Sequence, residues 1–254
     1  TMLTCARICL LALLLGANLR ATAGQPLMFI TEAYPPYNFS DDNILRGIAV
    51  DLLVIASLNT EQPVQRGQIR LMPWARAYRT ALNTPNSVLF ATTRTAEREH
   101  LFKWAGPIAA TRVVLLARKA DQIRIQSAAD LQRYRIGVIH EDIGEQSVLA
   151  LGVRKEQLHV SANADALIRQ LHAGRIDLWA YEENVAHWFL RNANFNQEDF
   201  ESVYQLQQGE LWYAFNPKVS DEQIQQLQNA IDALRKTPGK FGKTRYEDIL
   251  IDYL

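Results

Sequence analysis

The side chains best placed to do chemistry lie in the run LFATTRTAEREHLFKWAGPI, residues 89–108. An apolar stretch, Ser87-Val88-Leu89-Phe90-Ala91, has the character of a buried strand and turns polar at Thr92-Thr93-Arg94-Thr95. A short helical pattern follows, with Thr95 as its N-cap and Arg98 in the first turns. A strand end bearing hydroxyls and free amides, beside a helix start with an Arg one turn on, is chemistry for holding a carboxylate. The helix N-terminus favours negative charge, and a guanidinium forks onto two oxygens at once. The same spacing also fits an ordinary strand-helix junction with a surface Arg. Two carboxylate pairs, Glu141-Asp142 and Glu182-Glu183, are capable in principle of acid-base work. Acids at a helix start favoured by its dipole account for Glu182-Glu183 equally well. The five histidines form no H-x-x-x-H or H-E-x-x-H pattern, and neither Gly-x-Ser-x-Gly nor a phosphate loop occurs.

These residues are set in an alternation of strand and helix that argues for an α/β fold. Strands are expected at 26–31, 69–72, 88–91, 135–139, 159–160, 177–181 and 211–215, with a further extended segment at 201–206. Residues 113–117 are a continuous apolar run fit for a strand buried on both faces. Helices are expected at 48–58, 75–82, 127–134, 145–151, 165–173, 183–191 and 220–236. In the last of these Ile224, Leu227, Ile231 and Leu234 recur at helical spacing. Internal repeats and low-complexity tracts are absent from the sequence.

Three motifs in register give a family likeness. Thr93 and Arg98, followed by Phe102-x-Trp104-x-Gly106-Pro107-Ile108, resemble the T-x-x-R…F-x-x-P block of family 3 periplasmic solute-binding proteins. Those are receptors that deliver polar amino acids to ABC importers. Tyr34-Pro35-Pro36-Tyr37-Asn38-Phe39, then Gly47-Ile48-Ala49-Val50-Asp51-Leu52, resembles the family's Y-x-P-F…G-F-x-x-D-L opening, and Gly174-Arg175-Ile176-Asp177 with Tyr181-Glu182 its G-R-I-D…D segment. The resemblance implies a two-lobed periplasmic binding protein fold (type II) with a ligand cleft between the lobes. Lobe one would hold 24–111 and 212–254, and lobe two 112–211.

The same resemblance supplies the candidate ligand-binding residues. Arg98 stands at the carboxylate-binding position and Thr93 at the hydroxyl position before it. Glu182 falls where amino-acid binders carry an Asp for the α-amino group, one methylene longer here, with Glu183 its neighbour in register. Tyr34, Tyr37 and Trp74 are candidates for aromatic walls; such residues at strand ends also serve as core. Trp74 matches after a one-residue shift. Glu32 would reach a basic ligand group or lie solvated in a loop. In lobe two the family's Gly-Thr-Thr-like turn is replaced by His140-Glu141-Asp142-Ile143-Gly144, which has no side-chain hydroxyl to offer a carboxylate. That departure leaves room for a cationic or extended ligand.

Composition narrows the class further. Lys and Arg together number 27, equal to Asp and Glu, with no basic run, so nucleic acid is not an expected partner. Residues 1–23 read as a cleaved signal peptide: Arg7, an apolar stretch from Ile8 to Leu15, and Ala21-Thr22-Ala23. A membrane anchor is the alternative. Both cysteines, Cys5 and Cys9, fall in that segment, leaving the mature chain no disulfide or thiol chemistry. The expectation is a monomeric periplasmic protein with a small amino-acid-like ligand, an inner-membrane ABC permease as partner, no cofactor, no metal and no catalytic residue. A periplasmic enzyme on the same fold, of dehydratase or peptidoglycan lyase type, and a ligand sensor for a membrane signalling protein are the alternatives. The ligand itself is not identified by the sequence.

Overall fold

Two strands of sixteen residues tie the molecule together, in a computed structural model that describes residues 24–254. The expected signal peptide lies outside the described residues. In chain order the elements are β1 (Met28–Thr31), β2 (Phe39–Asp41), β3 (Ile44–Arg46), α1 (Ile48–Ser57), β4 (Arg70–Leu71), α2 (Trp74–Asn83), β5 (Ser87–Thr93) and β6 (Lys103–Arg118). There follow β7 (Ile136–Ile139), α3 (Ile143–Ala150), β8 (Leu158–Ser161), α4 (Ala164–His172), β9 (Leu178–Glu182), α5 (Glu183–Asn192), β10 (Phe200–Phe215), α6 (Asp221–Leu234) and α7 (Arg245–Ile251).

The main sheet runs β4-β1-β5-β10-β6-β9-β7-β8. β6 and β10 are antiparallel along their whole length, from Phe200 opposite Arg118 to Phe215 opposite Lys103. The C-terminal end of β10 pairs with β5, and the C-terminal end of β6, Val113–Leu116, pairs with β9. Each long strand therefore belongs to both lobes of a mixed α/β fold. Outside them, β1 is parallel to β4 and β5, and β7 is parallel to β8 and β9. Parallel strands covered by helices on both faces become continuous apolar runs, and all seven residues of β5 are buried.

Four sequence expectations change. The apolar run 113–117 is the C-terminal part of a much longer β6, and the two extended segments at 201–206 and 211–215 merge into β10. Pairing with β6 carries the ladder through Gln207, Gln208, Gly209 and Glu210 without an apolar pattern, so periodicity does not reveal it. The helix expected after Thr95 is a pair of tight turns: the Arg98 amide donates to the Thr95 carbonyl at 3.1 Å and the Leu101 amide to the Arg98 carbonyl at 2.9 Å. A bidentate Arg94–Glu99 pair closes the same short link. Residues 128–133 form a 3₁₀ helix instead of an α-helix.

The first lobe's edge is fixed by backbone contact. Gly47 has φ of 121°, and a Cβ there would meet the Tyr37 carbonyl oxygen at 2.3 Å. Only glycine lets the Tyr34–Tyr37 segment pack on the start of α1. The Ala49 amide donates to the Tyr37 carbonyl at 2.8 Å, and the buried Tyr213 hydroxyl donates to the Ala49 carbonyl at 2.6 Å. The loop bearing Tyr34 and Tyr37 is thus tied to α1 and, through it, to β10. Among the described residues no helix is long and apolar enough to cross a membrane.

Candidate functional site

Arg98 is the largest charged side chain inside the molecule, 1% exposed. The turn after β5 folds it back so that Nη1 donates to the Thr93 carbonyl at 3.2 Å. Its guanidinium lies 5.4 Å from the Trp74 ring and 5.3 Å from the Tyr78 ring, within cation-π range, and these two aromatics stack along α2. Nε and Nη2 of Arg98 have no hydrogen-bond partner among the described residues. The guanidinium is held by a hydrogen bond on one edge only, and an unmet buried donor is costly. Burial pulls its pKa down, and Asp142 is the strongest influence holding it up.

Asp142 comes from the second lobe, at the N-cap position of α3, and is 3% exposed. Its Oδ2 also lacks a partner. Burial raises its pKa, while Arg98 and the amides of Ile143 and Gly144 favour the charged form. Glu32, just past β1, is 9% exposed and well above the ordinary carboxylate range, through burial and then the charge of Asp142, with Arg98 opposing. Its carbonyl accepts from Asn38 Nδ2 at 2.6 Å, and that amide also donates to Thr31 Oγ1 at 2.9 Å, so its backbone is pinned. Tyr34 and Tyr181, in an edge-to-face pair with centroids 5.6 Å apart, stand beside these charges. A cleft of about 340 Å³ between the lobes touches this group at Glu32 and Tyr181; Glu32, Met72 and Pro73 line one side and Ile139, Asn163 and Tyr181 the other. Its size suits a small ligand. A wider cleft of about 460 Å³ beside Gly24 and Pro85 has only exposed ionisable side chains, Glu61, Lys218 and Glu222.

The lobes meet at two further points. Trp74 Nε1 donates to the Glu141 carbonyl at 2.9 Å, and Arg79 forks onto the Glu141 carboxylate, Nη2 to Oε1 at 2.7 Å and Nε to Oε2 at 3.1 Å. Glu141 has φ of 59°, in the left-handed region, which turns its carbonyl towards α2. On the other flank the Tyr37 hydroxyl donates to Glu182 Oε1 at 3.2 Å and accepts from Asn184 Nδ2 at 3.1 Å. Glu182 is the N-cap of α5; its Oε2 accepts from the Val185 amide at 2.8 Å, and burial lifts its pKa to about 7 against those hydrogen bonds.

The structure gathers Arg98, Thr93, Tyr34, Trp74 and Glu32 round one buried group, with Tyr37 and Glu182 at the flanking joint. Glu32 is buried, so the solvated-loop alternative does not hold. Arg98 is not a surface residue. Asp142 and Tyr181 belong to the group and are missing from the sequence-derived set. The signal for Asp142 is an acid immediately before a helix, which reads as a cap; only the approach of the other lobe reveals its second role.

A double-wound sheet with two long shared strands and a charged cleft between lobes defines a periplasmic-binding-protein fold. The model of the bacterial extracellular solute-binding proteins, family 3, matches residues 27–241, and the chain belongs to that family. No protein of curated function matches by sequence. Among solved structures, a histidine kinase sensor domain with similarity to periplasmic binding proteins superposes with a TM-score of 0.76 at 18% identity, covering 90% of this chain and 96% of that one. The arginine-, lysine-, histidine-binding protein of the thermophilic bacterium Geobacillus stearothermophilus gives 0.75 at 15%, covering 90% and 95%. An ancestral arginine-binding protein bound to arginine gives 0.72 at 19%, covering 90% and 98%. At these identities the likeness is one of fold.

Proposed function

We propose that this chain is a periplasmic receptor that captures a small polar ligand between its lobes and presents it to an ABC importer in the inner membrane. In this reading 24–111 and 212–254 form lobe one and 112–211 lobe two, and the protein is a monomer freed from its leader at 1–23. Arg98, Thr93, Glu32, Tyr34 and Trp74 form the lobe-one side of the ligand's surroundings. Glu182 and Tyr37 bridge the lobes beside it. The observation that carries the proposal is two buried charged groups from different lobes, Arg98 and Asp142, each with polar atoms that lack a hydrogen-bond partner and each favouring the charged form of the other. Such groups are expensive unless a ligand or the opposite lobe satisfies them, so the site has reason to exist only at the interface.

Binding then works by shifting an open-closed equilibrium, and the shift is bounded by the ligand's differential affinity for the two states. A melting-temperature screen over amino acids, polyamines, dicarboxylates and short peptides identifies the ligand. At a hundredfold excess over its Kd a ligand specific to the folded form adds about 2.7 kcal/mol. Small-angle scattering with that ligand should give a smaller radius of gyration. If nothing in the panel raises the melting temperature, or the ligand binds without compaction, the receptor mechanism fails for this chain.

A further inference from the structure

The link between α6 and α7, residues 235–244, gathers positive charge away from the cleft. Lys236, Lys240 and Lys243, with Arg245 at the start of α7, are all exposed. None of the four enters an ion pair or a side-chain hydrogen bond among the described residues. At the tip of the link Phe241 is 97% exposed, the most exposed large apolar side chain among the described residues. We propose that this link is a membrane-contact loop: Phe241 enters the headgroup boundary of an anionic phospholipid bilayer while the four cations engage the surrounding lipid phosphates. The proposal does not rest on the receptor reading and stands whichever ligand the cleft takes.

The tip is held in place by its own backbone. The Gly239 amide donates to the Lys243 carbonyl at 2.7 Å and the Lys243 amide to the Lys240 carbonyl at 3.0 Å. At the base of the loop the Arg245 amide donates to the Thr237 carbonyl at 2.9 Å. Asp248 of α7 accepts from the Lys240 amide, at 3.0 Å on Oδ2 and 3.2 Å on Oδ1. Gly239 makes the closure possible, since a Cβ there would meet the Thr244 carbonyl oxygen at 2.7 Å. Phe241 is thereby fixed at φ of 52°, in the left-handed region that a bulky side chain rarely adopts. Its ring buries almost no surface within the protein, so the fold gains no hydrophobic stabilisation from it. An aromatic displayed to water on a pinned backbone in an unfavourable conformation serves something outside the fold.

Charge selects the partner. The acids nearest in sequence are already engaged: Glu247 Oε2 accepts from the Thr244 amide at 2.7 Å, Asp248 holds Lys240, and Asp232 lies 3.8 Å from Arg235. Arg235 itself turns inward over the Tyr246 ring, 4.5 Å from its centroid. The loop keeps an excess of positive charge in a chain with 27 residues of each sign. An anionic bilayer strengthens binding by about fivefold for each such residue brought to its surface. The shape favours a bilayer over an acidic protein. A lone protruding ring needs a matching pocket in a rigid partner, whereas the bilayer interface yields round it and lets lysine stems lie along the apolar boundary with their ammonium groups at the phosphates. Ile251, one turn beyond Asp248 on the same face of α7, is 53% exposed and adds apolar surface on that side.

The test is co-sedimentation of the purified protein with vesicles of phosphatidylcholine alone and of phosphatidylcholine containing about one third phosphatidylglycerol. Binding should be at least about tenfold tighter to the anionic vesicles. It should fall to the phosphatidylcholine level in about 0.5 M salt, where the Debye length is about 4 Å. Uptake through the apolar stretch 8–15 appears on both vesicles and is subtracted. Phe241→Asn installs a residue that tolerates the left-handed region, and should weaken anionic-vesicle binding by about fivefold or more through loss of the ring alone. Lys240→Gln combined with Lys243→Gln should weaken it by about twentyfold. Melting temperatures equal to wild type establish that both variants are folded. Equal binding to the two vesicles, binding that survives high salt, or wild-type binding by either folded variant overturns the proposal. Failure to bind any vesicle also overturns it, the outcome expected if the loop meets an acidic protein instead. The lipid and salt dependence of wild type decide the matter even where a variant does not fold.

Discussion

Replacing Arg98 with Met keeps an unbranched side chain against Trp74 and Tyr78 and removes the one buried cation among the described residues, which acts on Glu32 and Asp142. Among the described residues no ion pair within 4.0 Å joins Arg98 to either acid, so the attraction is that of charges somewhat farther apart. At an effective dielectric of about 20, two unit charges some 5–6 Å apart interact by about 3 kcal/mol. Loss of the charged hydrogen bond to the Thr93 carbonyl adds about 1.5 kcal/mol or more. A loss of about 3–5 kcal/mol at pH 7.5 is therefore expected, the range found when one partner of a buried charged pair is removed. The loss depends on pH with a definite sign. Glu32 and Asp142 have folded-state pKa values raised above their unfolded ones, so their contribution is present at low pH and is lost as pH rises through the folded values. Without Arg98, which lowers both, those values rise further and the penalty extends across neutral pH. Denaturant unfolding of wild type and Arg98→Met at pH 5 and 7.5 measures it. The variant should recover most of the deficit at pH 5, and Arg98→Met combined with Asp142→Asn should recover part of it at pH 7.5. An equal deficit at both pH values refutes the electrostatic reasoning and makes Arg98 a packing residue.

Glu182→Gln should flatten the pH dependence of stability between about pH 4.5 and 7, because a carboxyl raised to about 7 loses its stabilising contribution as pH climbs through that window; by the size of the shift the wild-type change is roughly 3 kcal/mol, and unfolding at several pH values reads it. Trp74→Phe keeps the ring but deletes the interlobe bond to the Glu141 carbonyl, worth about 1 kcal/mol. Small-angle scattering should find the lobes shifted towards open, further still when Arg79→Ala is added, and an unchanged radius of gyration in the double variant discounts the latch. Gly144→Ala places a Cβ 2.4 Å from the Ala180 carbonyl oxygen, a backbone atom of β9, and should cost about 1–3 kcal/mol by displacing the start of α3. A melting temperature equal to wild type contradicts that packing.

Local sequence determines a good part of this protein. The alternation of apolar strands and amphipathic helices specifies α/β layers, and β5, α4, α5 and α6 form close to where the pattern of apolar and polar residues places them. Gly47 is required by a backbone approach, and motifs around Tyr34, Arg98 and Glu182 give the family because each is a short-range pattern. Tertiary structure decided the rest. The polar middle of β10 is a strand only because β6 pairs with it along sixteen residues, a long-range ladder that leaves no apolar signature. Arg98 follows turns, not a helix, since the short link closes on its own hydrogen bonds. Above all, the sequence separates Glu32, Arg98 and Asp142 by long stretches, and in each local setting the residue has an ordinary reading: a loop acid, a junction Arg, a helix cap. Their shared burial arises when two lobes come together, and charge acts through space at a strength set by the water excluded there, which no local pattern in a chain encodes.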